Sequence, residues 1–159
     1  MTDELAALRA RMEREGTGLK ARGEFKHLPG SFYDIEYILG LLAFRHGRAE
    51  QPSRADNVLE QIEALRSAGA LDANAAGLLR SAAELFRSTD HAHRVITGAS
   101  ANRPPEPALA QRIAVLLHIW GVLSAATAEA LEEQVRAARA EVRRLYEKEF
   151  TSVGPPALQ

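Results

Sequence analysis

The chain is expected to be all-α, a single bundle of about five to six helices, and three observations carry that expectation. Apolar residues recur with a period near 3.6 along most of the sequence, while period-two alternation is absent over any useful length. Glycines and prolines stand at the ends of the periodic runs, where helices stop. The length of 159 residues suits one domain, able to bury most of its apolar surface without covalent staples.

The first helix is predicted from about Asp3 to Glu15, with Thr2 as N-cap and Gly16 ending it. The basic, glycine-rich loop "GTGLKARGEFKHLPG" follows, and an irregular stretch of that length usually has a function or a docking partner. Ser31 then caps a second helix to about His46, with Asp34 at its third position as an acidic variant of a capping box and Gly47 closing it. This helix has two apolar faces. One is Ile35, Ile38, Leu39 and Leu42, and the other is Tyr33, Tyr37, Leu41 and Phe44, with Gly40 beside it. A helix apolar on two sides is either central in its bundle or pressed against another domain, and the central position is the preferred reading.

A third helix follows Asp56 and stops at Gly69, with the stripe Val58, Ile62 and Leu65, extended by Leu59. The fourth begins after Asp72 and runs to about Thr97, before Gly98, with the stripe Leu78, Ala82, Leu85, Phe86, Thr89, His93 and Ile96. "NRPPEP" is a stiff connector. The fifth helix carries Leu109, Ile113, Leu116, Leu117 and Trp120 on one side and fades near Gly121. The sixth, from about Ala126 to Phe150, carries Leu131, Val135, Ala138, Val142, Leu145 and Tyr146. Residues 1–150 thus form the domain, and residues 151–159, ending in "SVGPPALQ", are expected to be a disordered tail.

Composition narrows the function classes. The 20 basic and 21 acidic residues nearly balance, so no global field favours nucleic acid or an anionic membrane. Cysteine is absent, which removes disulfides, thiolate metal sites and cysteine nucleophiles and is compatible with the cytoplasm. The longest apolar stretch, Ile113 to Ala128, falls short of the ~20 residues that span a bilayer. Met1 to Glu15 is charged and amphipathic, unlike a signal peptide.

Asp34-Ile35-Glu36 has the spacing of a magnesium-binding carboxylate pair, but that spacing needs a strand. At about 100° per residue, positions 34 and 36 of a helix diverge by about 200° and cannot share one ion. Asp34 instead suits the positive end of a helix, and Glu36 could pair with Lys26 or Arg22. Glu24-x-x-His27 matches half of a di-metal bundle motif without a second Glu-x-x-His. His91 and His93 also lie about 200° apart, so no metal site is assigned. No phosphate loop and no GxSxG elbow occurs. Arg136, Arg139, Arg143 and Arg144 alternate with Glu132, Glu133, Glu141 and Glu147, as on an exposed, salt-bridged face, and Asp90 with Arg94 reads as an i,i+4 pair. No catalytic residue is assigned.

The order of motifs carries a resemblance. "RARMERE" followed by "FKHLPGSFYDIEYILGLLAFRHG" looks like the helical domain of the glutamine synthetase adenylyltransferases (glutamate–ammonia-ligase adenylyltransferases), with its Lys-x-Gly-x-Gly-Gly-x-x-Asp-Ile-Glu-Phe signature. Lys26 takes the lysine position, Gly30 one glycine, Asp34, Ile35 and Glu36 the acidic core, and Tyr37 the place of phenylalanine, while Leu28 and Ser31 replace glycines. Asp56-Asn57 resembles the start of the next family helix. "LFRSTDHAHRVITG" resembles Leu-Arg-x-x-Glu-His-x-x-x-Leu, with Arg87 and His91 matching, and "VRRLYEKEF" resembles the closing pattern. The resemblance covers about residues 3 to 150. The related signal-protein uridylyltransferases share this domain but usually lack the glutamate after Asp-Ile. Glu36 therefore points to the adenylyltransferase branch, and Asp56-Asn57 with the closing pattern to its C-terminal, adenylylating half.

The resemblance implies a role beside a nucleotidyltransferase domain that uses magnesium and ATP to transfer AMP to a tyrosine of glutamine synthetase. That domain carries its acids on a Gly-Ser…Asp-x-Asp motif. No Asp-x-Asp occurs here and the first helix begins within a few residues of Met1. The chain is accordingly expected to be non-catalytic and to need no cofactor, as a fragment or a stand-alone relative. Its expected partner is a nucleotidyltransferase domain in cis or trans, with glutamine synthetase as a further one. The loop Lys20 to Gly30 and the second face of the second helix would form the docking surface. The competing readings are a stand-alone all-α interaction module and, behind it, a helical-bundle metalloprotein.

Overall fold

The computed structural model describes residues 28–46, 57–99 and 104–151, together with Ala7 and Arg11. Five helices lie within them: α1 (Phe32–Arg45), α2 (Val58–Ser67), α3 (Ala73–Thr97), α4 (Pro107–Ile119) and α5 (Ala128–Thr151). No strand occurs among the described residues, and the expected all-α bundle is what forms. The predicted first helix falls outside them apart from Ala7 and Arg11, both helical. Residues 152–159 of the expected tail also lie outside the described residues.

Each helix starts and stops for a local reason. Asn57 Oδ1 accepts from the Leu59 N–H at 3.1 Å, and Asp72 Oδ1 accepts from the Ala75 N–H at 2.8 Å, satisfying amides that a helix start leaves open. Pro107 opens α4 at a position where its missing N–H costs nothing. Gly98 ends α3 with φ +73°, a left-handed conformation that suits glycine. The Gln111 side chain spans from α4 to the beginning of α5, donating to Ala126 O at 2.7 Å and accepting from the Ala128 N–H at 3.0 Å. α5 accordingly starts two residues later than its apolar pattern suggests.

The predicted stripes line the core, and on α3 Leu79, outside the predicted stripe, is buried where Leu78 is only half-buried. Ile35, Ile38, Ile62, Leu79, Ile113, Leu117 and Val142 are fully buried, and Leu131, Val135, Leu145 and Tyr146 close the core from α5. α3, the longest helix, packs against all four others, while α1 packs against α2, α3 and α5. This settles the two-faced helix. Leu41 is 0% exposed and Tyr37 packs against the core, so α1 is central and only Phe44 of its second face is well exposed. Trp120 departs from expectation. It is the C-cap of α4 instead of a member of the stripe, and it stands exposed beside Ile119. No described helix is long and apolar enough to cross a membrane.

α1 and α5 run parallel, because contacts pair Pro29 with Arg139, Asp34 with Arg143 and Arg45 with Glu149 in ascending order. Two parallel helices need a long connection, and α2, α3 and α4 provide it.

Leu117→Ala should lower the unfolding free energy by about 2–5 kcal/mol, because it opens a cavity at a fully buried site. Ile119→Ala, at a position 70% exposed, should change it by less than about 0.5 kcal/mol. Urea titrations followed by circular dichroism measure both.

Candidate functional site

The signature "LPGSFYDIEY" folds as a tight turn delivered into α1 and pressed against α5. The Ser31 N–H donates to Leu28 O at 3.0 Å, closing the turn around Pro29 and Gly30. Gly30 has φ +74°, and a Cβ placed there would stand 2.0 Å from the Arg139 carbonyl oxygen. Two constraints meet at this residue, a left-handed backbone and a helix backbone in direct contact, and only glycine satisfies both.

Asp34 lies at the third position of α1, is 0% exposed, and accepts the Gly30 N–H at 2.7 Å. This corrects the capping-box expectation in two details. The carboxylate reaches back to the residue before the cap, and the Ser31 side chain makes no capping bond to the helix amides. Asp34 thus locks the turn to the helix that follows it.

From the other side, Arg139 donates through Nε and Nη2 to Pro29 O at 3.1 and 2.9 Å. Burial pulls its guanidinium below the ordinary arginine value, and the nearby Asp34 charge opposes that shift. Arg143 Nη1 stands 3.4 Å from Asp34 Oδ2, its Nε donates to Glu147 at 2.8 Å, and its guanidinium lies over the Tyr146 ring. The salt-bridged face expected on α5 is therefore only half correct. Arg136 pairs with Glu133, Arg144 with Glu141 and Arg143 with Glu147, but Arg139 and, beyond its own pair, Arg143 clasp the signature turn.

A second cluster joins motifs that are distant in sequence. Arg87 of α3 donates to Asn57 Oδ1 at 2.9 Å, the same oxygen that caps α2. Its guanidinium lies 5.2 Å over the ring of Phe32, the first residue of α1. Arg87 so ties the beginnings of two helices together. One turn on, His91 faces Trp120 with ring centroids 5.4 Å apart. Asp90 and Arg94 form the expected helical pair at 2.8 Å. His93 Nδ1 lies 2.9 Å from Ala99 O, at the end of α3.

The described signature residues thus fall into three groups. Gly30 and Asp34 are buried, Tyr37 and Asn57 are half-buried, and Glu36, Arg87 and His91 are exposed. Lys26, Asp56, Glu24 and His27 lie outside the described residues. Asp34 turns inward to Gly30 while Glu36 faces outward, so the two acids do not converge. A buried carboxylate spent on a backbone amide and an arginine-clasped turn position a loop; they do not assemble a nucleophile with a base. An open cleft between the first turn of α3 and the later turns of α5, lined in part by Asp72, Leu78, Glu141, Arg144 and Lys148, holds no such pair either. Sequence reasoning missed Arg139 and Arg143. Their i,i+4 spacing places them on one face, but their partners lie more than a hundred residues away.

The fold and its clasped turn define a helical domain. Its family follows from comparison with known proteins. A family model described as GlnD PII-uridylyltransferase matches residues 1–150, and the chain belongs to that family. The chain is also 33% identical over 140 residues to the bifunctional glutamine synthetase adenylyltransferase/adenylyl-removing enzyme of Caulobacter vibrioides. That match covers 88% of this chain but 14% of the relative, so the chain spans about a seventh of that protein's length. No solved structure matches it significantly. The helical-domain resemblance read from the motifs is thereby established, with both the uridylyltransferase and adenylyltransferase branches represented.

Gly30→Ala should destabilise the fold by about 2–5 kcal/mol, combining left-handed strain with overlap at Arg139. Gly69→Ala, with φ +72° and open space around it, should cost only the strain, about 1–2 kcal/mol. Their difference in urea unfolding isolates the contact with α5. Asp34→Ala should cost about 2–4 kcal/mol, because the Gly30 amide loses its acceptor inside the fold.

Proposed function

We propose that this chain is the non-catalytic helical domain of a glutamine synthetase adenylyltransferase-like protein. It supports and docks a nucleotidyltransferase domain, in cis or trans, which transfers AMP from ATP to a tyrosine of glutamine synthetase in the regulation of nitrogen metabolism. Magnesium and ATP belong to that catalytic domain, and the setting is the cytoplasm. The observation that carries the reading is the use of the signature acid. Asp34 is buried and spent on the Gly30 amide, so the motif anchors the loop that leads into α1 and leaves the chemistry to a neighbour. The likeness to the Caulobacter vibrioides adenylyltransferase supports the choice of branch, as does Glu36.

The test is AMP transfer. The purified chain, incubated with glutamine synthetase, magnesium and radiolabelled ATP, should leave the synthetase unlabelled. Label incorporated by the chain alone overturns the non-catalytic assignment. In a pull-down, glutamine synthetase should be retained in the presence of the nucleotidyltransferase domain. Failure to retain it with or without that domain favours a stand-alone interaction module.

A further inference from the structure

The outer side of α1 carries five residues that the bundle does not fully cover. Tyr33, Glu36, Tyr37, Gly40 and Phe44 fall within about 100° of one another around the helix. Tyr33 and Tyr37 are half-buried, Glu36 and Gly40 are exposed, and Phe44 is 40% exposed. Gly40 is the odd member. Its φ is not positive, and a Cβ built there meets nothing within 4 Å. Neither constraint that fixes Gly30 therefore applies to it, and a glycine inside a helix is destabilising relative to alanine. What Gly40 does provide is a notch beside Tyr37 and Phe44, the shape that lets a second helix come close to α1. Gly77 of α3 is equally open, but its neighbours a turn away are Ala73, Asn74, Arg80 and Ser81, with no aromatic ring among them.

The chain itself carries a helix of the right kind. Residues 3–15, expected to be helical, put Leu5, Leu8 and Met12 on one face, with Arg9 and Arg11 on its two flanks. Ala7 and Arg11 are helical and exposed. Ala7 stands about 100° or more from each member of the stripe, so its exposure agrees with a stripe turned away from water. A helix of this length is marginal alone and needs a surface to lie on. Its length of about 20 Å matches the roughly 21 Å of α1, and residues 16–27 are ample to reverse the chain alongside α1. In an antiparallel pairing Met12 lies by Tyr37, Leu8 by Gly40 and Leu5 by Phe44. The same register brings Arg11 near Glu36, the one charged side chain on this face of α1. The uncovered part of α3 and α4 offers no such notch, because Val95, Val115 and Ile119 fill the positions where a second helix would have to approach.

We infer that this face of α1 is the seat of the chain's own N-terminal helix, residues 3–15, packed antiparallel with Leu8 over Gly40. The inference is independent of the proposed function. It withdraws the outer face of α1 from the docking surface expected for a nucleotidyltransferase domain and leaves the rest of that proposal unchanged.

Hydrogen exchange of the full chain, read by mass spectrometry, tests this. Amides of residues 3–15 should exchange at least about tenfold more slowly than in a free peptide of the same sequence. Gly40→Leu, which fills the notch, should remove that protection while α3 and α5 keep theirs, and Gly77→Leu should leave it unchanged. The absence of cysteine allows the register to be read separately, with the notch intact. Under mild oxidation Leu5→Cys with Phe44→Cys should form a disulfide within one chain, and Leu5→Cys with Ile119→Cys should not. Residues 3–15 that exchange as fast as the free peptide overturn the proposal, as does protection indifferent to Gly40→Leu. A disulfide to position 119 in place of 44 overturns it by putting the helix on the other face. So does one that joins two chains, the occupant then being a second copy.

Discussion

The fold depends on one close approach, that of Gly30 to the backbone of Arg139. A side chain at position 30 would occupy the space of a carbonyl oxygen, so the turn and α5 can meet at this distance only because nothing projects between them. A series of polar contacts between α1 and α5 runs on from it. Arg139 reaches the Pro29 carbonyl, Arg143 comes within range of Asp34, and Arg45 reaches Glu149 at the far end. Ion pairs of this kind contribute little when exposed. Here they act in series along two helices already held in register by apolar packing, with Val142 and Leu145 of α5 in the same core as Ile35, Ile38 and Leu39 of α1.

The family signature has two physical roles that a linear motif conceals. Asp34 works inward, holding the amide of Gly30, and Asn57 works locally, capping α2. Arg87 bridges the two roles, because its guanidinium stays at the surface while it fastens Asn57 and covers Phe32. His91 belongs to the outward set, together with a tryptophan that belongs to no motif. A signature can therefore record the assembly of a domain as much as the chemistry of its neighbour. The adjacent acids of Asp-Ile-Glu show the division within three residues.

Much of this was legible in the sequence, for reasons that can be named. Helical periodicity identified Ile62, Phe86, Ile113 and Val142 as core because burial and period are two expressions of one geometry. Helical phase likewise separated Asp34 from Glu36. Trp120 was misassigned because its spacing continues the stripe of α4, whereas Gly121, with φ +75°, turns the chain before the stripe can continue. The arginine clasp was not legible at all. Arg139 looks like its neighbours Arg136 and Arg144, and Arg143 even shares their pairing with a glutamate on the same helix, so nothing local marks an arginine that also meets a turn more than a hundred residues upstream.

The parallel pairing of α1 with α5 also bears on how the chain acquires its shape. The close approach of Gly30 to Arg139 joins residues far apart in sequence, and long-range contacts of this kind tend to form late in folding. Of the five described helices α1 is made first, yet the helix that receives it is the last of the five to leave the ribosome. Until then, among the described helices, α2 and α3 are the partners available to α1, and the turn around Gly30 lacks its arginine clasp. The intervening helices serve as a temporary shelter for α1 and complete the domain only when its final helix arrives.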